Sequence, residues 1–306
     1  MANQIVRLAV IGDIHDRWEE EDAAALEFLG VDLALFVGDF GNESVNIVKL
    51  IAALQTPKAA ILGNHDAWYS ATDWGRSKCP YDRTKEDRVQ QQLDLLGEAH
   101  VGYSKLDFPD LDLTVVGGRP FSWGGSSWKN DRFYRERYGV HSWDESADRI
   151  LNAVEQAKSN TIIFIGHNGM KGMGNQPEDP CGKDWQPIGG DHGDPDFTSA
   201  ITQTRQRGKS VPLVAFGHMH HSLRHTKTEL RRPIHVDAAG TVHLNAARVP
   251  RIIEQGGDRL RNFSIVALEH GIVTKISLIW LNQNFDTVSE EILYQVHDVA
   301  AAIASF

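Results

Sequence analysis

The sequence predicts an α/β fold, and three observations carry that prediction. Short apolar runs at 7–12, 32–38, 58–63, 161–166 and 213–217 each end in glycine. Aliphatic and β-branched residues occupy both parities of every run, the pattern of strands buried on both faces. Stretches of helical period alternate with the runs, as in a sheet covered on both sides.

Residues 18–29 follow the first run and read as a helix. Residues 43–54 follow the second, with Ile47, Ile51 and Leu54 on one face behind Asn42 as a candidate cap. A helix over 85–96 stops at Gly97, and one over 145–157 begins with the capping pair Ser142 and Glu145. After Gly217 the rhythm changes. Segments 241–245, 263–269 and 272–280 read as consecutive strands, the last two joined by Glu269-His270-Gly271, which predicts a second, more antiparallel sheet. Segments 67–112 and 168–196 break the pattern directly after strand ends, where α/β connections carry function, and read as loops and caps over a site. Trp68, Trp74, Trp123, Trp128, Trp143 and Trp185 lie in or near them. They read as packing the insertions onto the core, the alternative being a substrate-facing role for one or two.

The length of 306 residues allows one large unit or two average ones. No repeat or linker marks a boundary, so the expectation is a single domain over 1–306. With 41% hydrophobic and 24% charged residues the composition is that of a folded, water-soluble chain. A net charge of −10 opposes attraction to phosphate backbones and anionic lipid, which argues against nucleic acid or a membrane surface as partner. The sequence has no apolar stretch of the roughly 18 residues a bilayer span needs, and its start runs into a strand pattern, so the expected location is cytoplasmic. Cys79 and Cys181 stand far apart and form no Cys-x-x-Cys knuckle. Any metal must be held by His, Asp and Asn.

The residues that follow the apolar runs carry the chemistry: Asp13-x-His15, Gly38-Asp39, Gly63-Asn64-His65-Asp66, Gly166-His167 and Gly217-His218-Met219-His220. Any one of these alone is an ordinary turn or core histidine, but five strand ends with ligand side chains in one chain point to a site. If the strands lie side by side with one polarity, Asp13, His15, Asp39, Asn64, His167, His218 and His220 meet at one edge. These donors exceed the four of a structural zinc, which favours two ions. Mixed imidazole and carboxylate donors suit Mn, Fe, Zn, Co or Ni. A carboxylate bridging two ions about 3.5–4 Å apart serves phosphoryl displacement, so the chemistry indicated is hydrolysis by a metal-bound hydroxide.

Taken in order, these five blocks resemble the signature of the calcineurin-like metallophosphoesterases, with the Gly-Asn-His-Asp and Gly-His-x-His blocks intact. The resemblance implies a central β-sandwich of two mixed sheets flanked by helices, an αββα four-layer fold, carrying a two-metal phosphoesterase site. It implies Asp13, His15, Asp39 and His220 around one ion and Asp39, Asn64, His167 and His218 around the other, with Asp39 as the bridge. His65 would donate a proton to the leaving group, with Asp66 holding its imidazole. Arg119, after Gly117-Gly118, and Arg248, after the strand that follows the last block, are candidate substrate contacts, with Asn245 and Arg251 beside the latter. The expected activity is that of a phosphomonoesterase acting on a small soluble phosphorylated substrate, with Mn or Fe as the favoured ions. The alternatives are a phosphodiesterase acting on a cyclic nucleotide or nucleotide-linked lipid precursor, and a non-catalytic scaffold on the same fold, which would have no need of His65.

Overall fold

The structure, a computed structural model, describes residues 5–296. Its first half runs β1 (Val6–Ile11), α1 (Glu20–Phe28), β2 (Leu33–Phe36), α2 (Val45–Ala52), β3 (Lys58–Ala60), α3 (Asp73–Ser77), α4 (Arg88–Leu96), β4 (Lys105–Phe108), β5 (Leu113–Gly117) and α5 (Asp131–Tyr138). The second half runs α6 (Trp143–Glu155), β6 (Thr161–Ile165), α7 (Pro195–Gln206), β7 (Ser210–Phe216), β8 (Ile234–Val236), β9 (Val242–Asn245), β10 (Ile252–Gln255), β11 (Asp258–Glu269), β12 (Ile272–Leu281) and β13 (Thr287–Gln295). Among the described residues no helix is long and apolar enough to cross a membrane.

Alternate residues of the apolar runs serve two different interiors, which is why both parities are hydrophobic. Leu8 and Val10 of β1 share a core with Val115, Ile163, Ile165, Leu213 and Ala215 of β5, β6 and β7. Ala9 and Ile11 face the other way and pack with Ala25, Leu26, Val48 and Ile51 of α1 and α2. On the far side, Phe164, Val214 and Phe216 pack with Ile150, Val154, Phe197 and Ile201 of α6 and α7. The result is helix, sheet, sheet, helix. One sheet has the order β13-β12-β11-β1-β2-β3 with β10 on β11, and the other β4-β5-β6-β7-β9-β8. Strands β1, β2 and β3 run parallel, as do β5, β6, β7 and β9, so each sheet gathers carboxyl ends along one edge.

Three expectations need correction. The ligand-bearing strands do not lie in one sheet: β1, β2 and β3 belong to the first and β6 and β7 to the second. The late strands do not build a separate antiparallel sheet. β11 pairs antiparallel with β1, Val6 opposite Leu268, and so carries β12 and β13 into the first sheet, while β9 joins the second parallel to β7. Segment 67–112 is mostly not a cap. Its short amphipathic strand β4 pairs with β5 at a sheet edge, and only Trp68 of the whole segment lines the cleft described below. From segment 168–196, Lys183 to Trp185 and Gly189 to His192 line that cleft.

Helix α2 starts at Val45 rather than 43 because Glu43 adopts φ +53° and turns its carboxylate to accept from Tyr69 N at 2.8 Å. Arg251 is not at the cleft. It is 1% exposed, donates to Asp22 Oδ1 at 2.9 Å and to Arg17 O at 2.9 Å, and locks the loop before α1 onto β11. Arg261 Nη1 reaches the same Asp22 oxygen at 3.3 Å. One fully buried acid thus faces two buried guanidinium groups. Asp22→Ala would leave both without that partner and is expected to lower unfolding free energy by about 3–5 kcal/mol, read from the urea midpoint.

Candidate metal centre and active-site cleft

The loops after the parallel strands continue the ladder past the sheet. Asp13 N donates to Gly38 O at 3.0 Å and His15 N to Asp39 O at 2.9 Å, while Gly217 N from β7 reaches His167 O at 2.8 Å. These bonds fix the turns, and the turns are tight. Asp13, His15, Asp39 and His218 all have left-handed backbone, with φ of 51°, 47°, 56° and 67°. Each such non-glycine residue costs about 1–3 kcal/mol, a strain that surrounding structure must over-determine and that gathers at functional sites. Gly38 and Gly63 allow the closest approach. A Cβ on Gly38 would sit 2.7 Å from Gly63 N and from His167 Nδ1, and one on Gly63 would meet His167 Cε1 and Asp39 N at 2.6 Å.

Seven side chains predicted from separate strand ends come together here. Asp13, His15 and His220 offer donor atoms within 4.8 Å of one another, as do Asp39, His167 and His218. Asn64 Oδ1 lies 2.9 Å from His167 Nε2 and joins the second group. Asp39 stands between them. Its Oδ1 is 3.3 Å from His167 Nε2, while Oδ2 is 3.9 Å from His15 Nε2 and 3.9 Å from His65 Nε2.

These residues fit a pair of divalent ions on several counts. Ring nitrogens face each other at 3.2 Å in two places, His15 Nε2 with His220 Nε2 and His218 Nδ1 with His167 Nε2. Two lone pairs cannot point together without a proton or a cation between them. Asp13 Oδ2 accepts from His218 N at 2.9 Å, whereas the buried Oδ1 has no donor and lies 3.2 Å from His220 Nε2. His167 donates Nδ1–H to Val37 O at 2.9 Å, which leaves the Nε2 lone pair turned into the group, the tautomer a metal ligand needs. Burial opposes ionisation of Asp39, yet the adjoining His167, with His65 and His15, holds its carboxyl well below the usual carboxylate range. Burial also disfavours a charged His167, but Asp39 and Asp13 raise it to about 9. His218 is driven well below its ordinary value by burial and by His167. The pocket draws positive charge to itself, and a divalent ion would displace the proton from His167.

His65 also brings a ring nitrogen within 4.8 Å of donor atoms of His15 and Asp39, and its ring centroid lies 4.8 Å from that of His15. Its partner is not Asp66. The Asp66 carboxylate accepts from the backbone N–H of Gly63, Phe40 and Asp39 at 2.7, 2.9 and 3.0 Å and is spent on shaping the loop. His65 Nδ1 instead donates to Asn42 Oδ1 at 2.6 Å. Asn42 thus does not cap α2, whose N-cap is Ser44. Its position three residues after Asp39, in Gly38-Asp39-Phe40-Gly41-Asn42, was the available signal.

Arg119 and Arg248 do not touch the cleft. Arg119 is 3% exposed and donates to Asp194 Oδ1 at 2.8 Å, Asp196 Oδ2 at 3.0 Å, Tyr134 OH at 3.0 Å and Ser122 Oγ at 3.1 Å. A guanidinium with all its partners inside the protein has none left for phosphate. The backbone around Arg248 is pinned to His221, which donates N–H to Ala247 O and accepts Val249 N at Nδ1, and this holds Arg248 off the cleft. Asn245 is 7% exposed and donates to Met219 O at 2.8 Å and Pro180 O at 3.2 Å, steadying the turn between His218 and His220. His192 carries no motif signal in the sequence. It lines a cleft of about 640 Å³ above the metal-ligand groups, together with Trp68, Trp123, Trp185, Lys183 and Arg224.

Two variants test this geometry. Gly63→Ala would drive a methyl into His167 and Asp39 and is expected to lose bound metal while keeping its far-ultraviolet circular dichroism, read by elemental analysis. Asn42→Ala should keep its metal and lower turnover by at least about tenfold, short of the roughly 10²–10⁴ that a positioned acid contributes.

A family model described as calcineurin-like phosphoesterase matches residues 6–222. A search of curated proteins returns no match. Among solved structures, one superposes with a TM-score of 0.52 at 11% identity, covering 95% of this chain and 100% of its own, and it supports the fold. A dimetal phosphatase from Danio rerio gives a TM-score of 0.48 at 11% identity over 95% of this chain and 99% of its own. A purple acid phosphatase from yellow lupin seeds gives 0.46 at 12% identity over 95% of this chain and 54% of its own. With more than half its residues under the family model, the chain belongs to the calcineurin-like phosphoesterases, metal-dependent hydrolases of phosphate esters.

Proposed function

We propose that the chain is a two-metal phosphomonoesterase acting on a small soluble phosphorylated compound, with His65 as proton donor to the leaving group. The observation that carries this reading is the Asp39 carboxylate, which stands with His167 and His218 on one side and with His15 and His65 on the other. Asp13, His15, Asp39 and His220 would hold one ion, and Asp39, Asn64, His167 and His218 the other. Mixed imidazole and carboxylate donors suit Mn, Fe, Zn, Co or Ni, with Mn or Fe first. Such a pair, when bound, supplies Lewis acidity to the phosphoryl oxygens and lowers the pKa of coordinated water.

The rest falls to the chain. With Nδ1–H committed to Asn42, the proton that His65 can transfer is the one on Nε2. Burial holds this imidazole below its ordinary pKa. The negative charge of an arriving phosphate works against that depression and favours the protonated form that can donate to the departing ester oxygen. Lys183 and Arg224 at the cleft favour a monoester dianion over a diester carrying a single charge.

Dialysis against a chelator should abolish turnover, and added Mn²⁺ should restore it. Asp39→Asn is expected to lose metal and activity together, whereas His65→Ala should keep its metal and lose roughly 10²–10⁴ in turnover. Equal metal loss in both variants contradicts these roles. Rates on p-nitrophenyl phosphate and its bis ester compare the two ester classes, and a faster bis ester reverses the preference for monoesters.

A further inference from the structure

The cleft over the metal-ligand groups has aromatic walls, and what they imply rests on the phosphoesterase reading. Its volume of about 640 Å³ is far more than a phosphate and a short alcohol fill, and falls within the roughly 300–1,000 Å³ of pockets that enclose a whole organic ligand. His65, Trp68 and Trp123 stand as a stack, with centroids 4.4 and 5.5 Å apart and planes within 13° and 14° of parallel. His192 continues from it, donating Nε2–H to Trp123 O at 3.0 Å and meeting Trp185 edge-on at 4.8 Å. Trp68, Trp123 and Trp185 are each only partly buried. Indoles that keep part of their surface in water beside a charged centre are ready to be covered by another flat ring. From these walls we infer that the substrate is a phosphate ester whose alcohol carries a planar heteroaromatic ring, as in a nucleoside monophosphate, the ring stacking on the Trp123 and Trp185 walls while the phosphate faces the metal-ligand groups at the cleft floor.

The walls are built before any ligand arrives. Arg119 and Ser122 both bind Asp194, and Ser122 Oγ accepts Gly124 N at 3.0 Å. Gly125 N then donates to His192 O at 2.7 Å, and Gly124 and Gly125 have φ of +63° and +90°. A Cβ on Gly125 would lie 2.9 Å from His192 Cε1. The two glycines let the Trp123 loop lie flat against the histidine, and the buried Arg119 cluster fixes both. A rigid aromatic surface spends little ordering entropy on a ligand. The exposed hydroxyls of Ser126 and Ser127 at the same cleft suit the polar edge of a heterocycle better than a hydrocarbon ring.

Adenosine monophosphate and ribose 5-phosphate share the same leaving alcohol and differ by the base, so the pair isolates the ring. Calorimetric titration of the Mn²⁺-loaded protein with their phosphonate isosteres, in which carbon replaces the ester oxygen, excludes turnover. The adenosine compound should bind at least about tenfold more tightly, the scale of one stacked base. Trp185→Ala should bring the two affinities within about threefold of each other and Trp185→Phe should restore much of the gap. Equal affinities in the wild-type protein, or a gap that survives Trp185→Ala, overturn the inference. Phosphate release from the two parent esters is measured in parallel. Efficient release from both with equal affinity overturns the ring and keeps the phosphoesterase. Ring-dependent binding without phosphate release from any ester keeps the ring site and overturns the phosphomonoesterase.

Discussion

The Asp39 carboxylate has to face donors on two sides, and much of the architecture follows from that requirement. One oxygen looks toward His167 and the other toward His15 and His65. A single sheet edge delivers side chains from one direction only. Here β1, β2 and β3 bring Asp13, His15, Asp39, Asn64 and His65, while His167, His218 and His220 arrive from β6 and β7 across the sandwich. The two edges are held in register by the shared core of Leu8, Val10, Leu35, Ile163, Ile165, Leu213 and Ala215. Packing far from any polar atom therefore sets the distances at the centre.

That arrangement carries electrostatic and conformational costs. Asp13 and His167 are fully buried, and residues of the centre adopt backbone conformations that side chains disfavour. The apolar layers on either side supply the stability that offsets both. The chain is acidic in sum, at −10, yet Lys129, Lys183 and Arg224 all line the cleft. A net charge describes long-range attraction to large polyanions and says little about the field at one small opening.

Much of the fold and most of the centre were legible in the sequence because strand burial and ligand chemistry are both local. An aliphatic run ending in glycine and then in Asp or His announces itself without knowledge of its neighbours. What was not legible depends on pairing at long range. Nothing in Phe263 or Ile276 says that β11 and β12 extend the sheet of β1 rather than found another. Lys105–Phe108 is too short and too polar to reveal β4. Arg119 was misread for a related reason: a guanidinium after Gly-Gly suits phosphate, and only the fold brings Asp194 and Asp196 to consume it. Asn42 rather than Asp66 holds His65, because only the fold brings the backbone N–H groups of Asp39 and Phe40, with that of Gly63, onto the Asp66 carboxylate.

The residues that match the family end at 222, but β1 sits between β2 and β11, and β11 begins at Asp258. A fragment cut at the family boundary would leave β1 as a raw edge, with Val6 to Val10 stripped of their partners Ser264 to Leu268. It would also uncover Leu8 and Val10, whose core includes Val266 and Ile276. The stretch under the family model is thus not the whole of the sandwich. The late hairpins act as the structural buttress of the earliest strand, so the loop bearing Asp13 and His15 owes its position to residues more than two hundred places downstream.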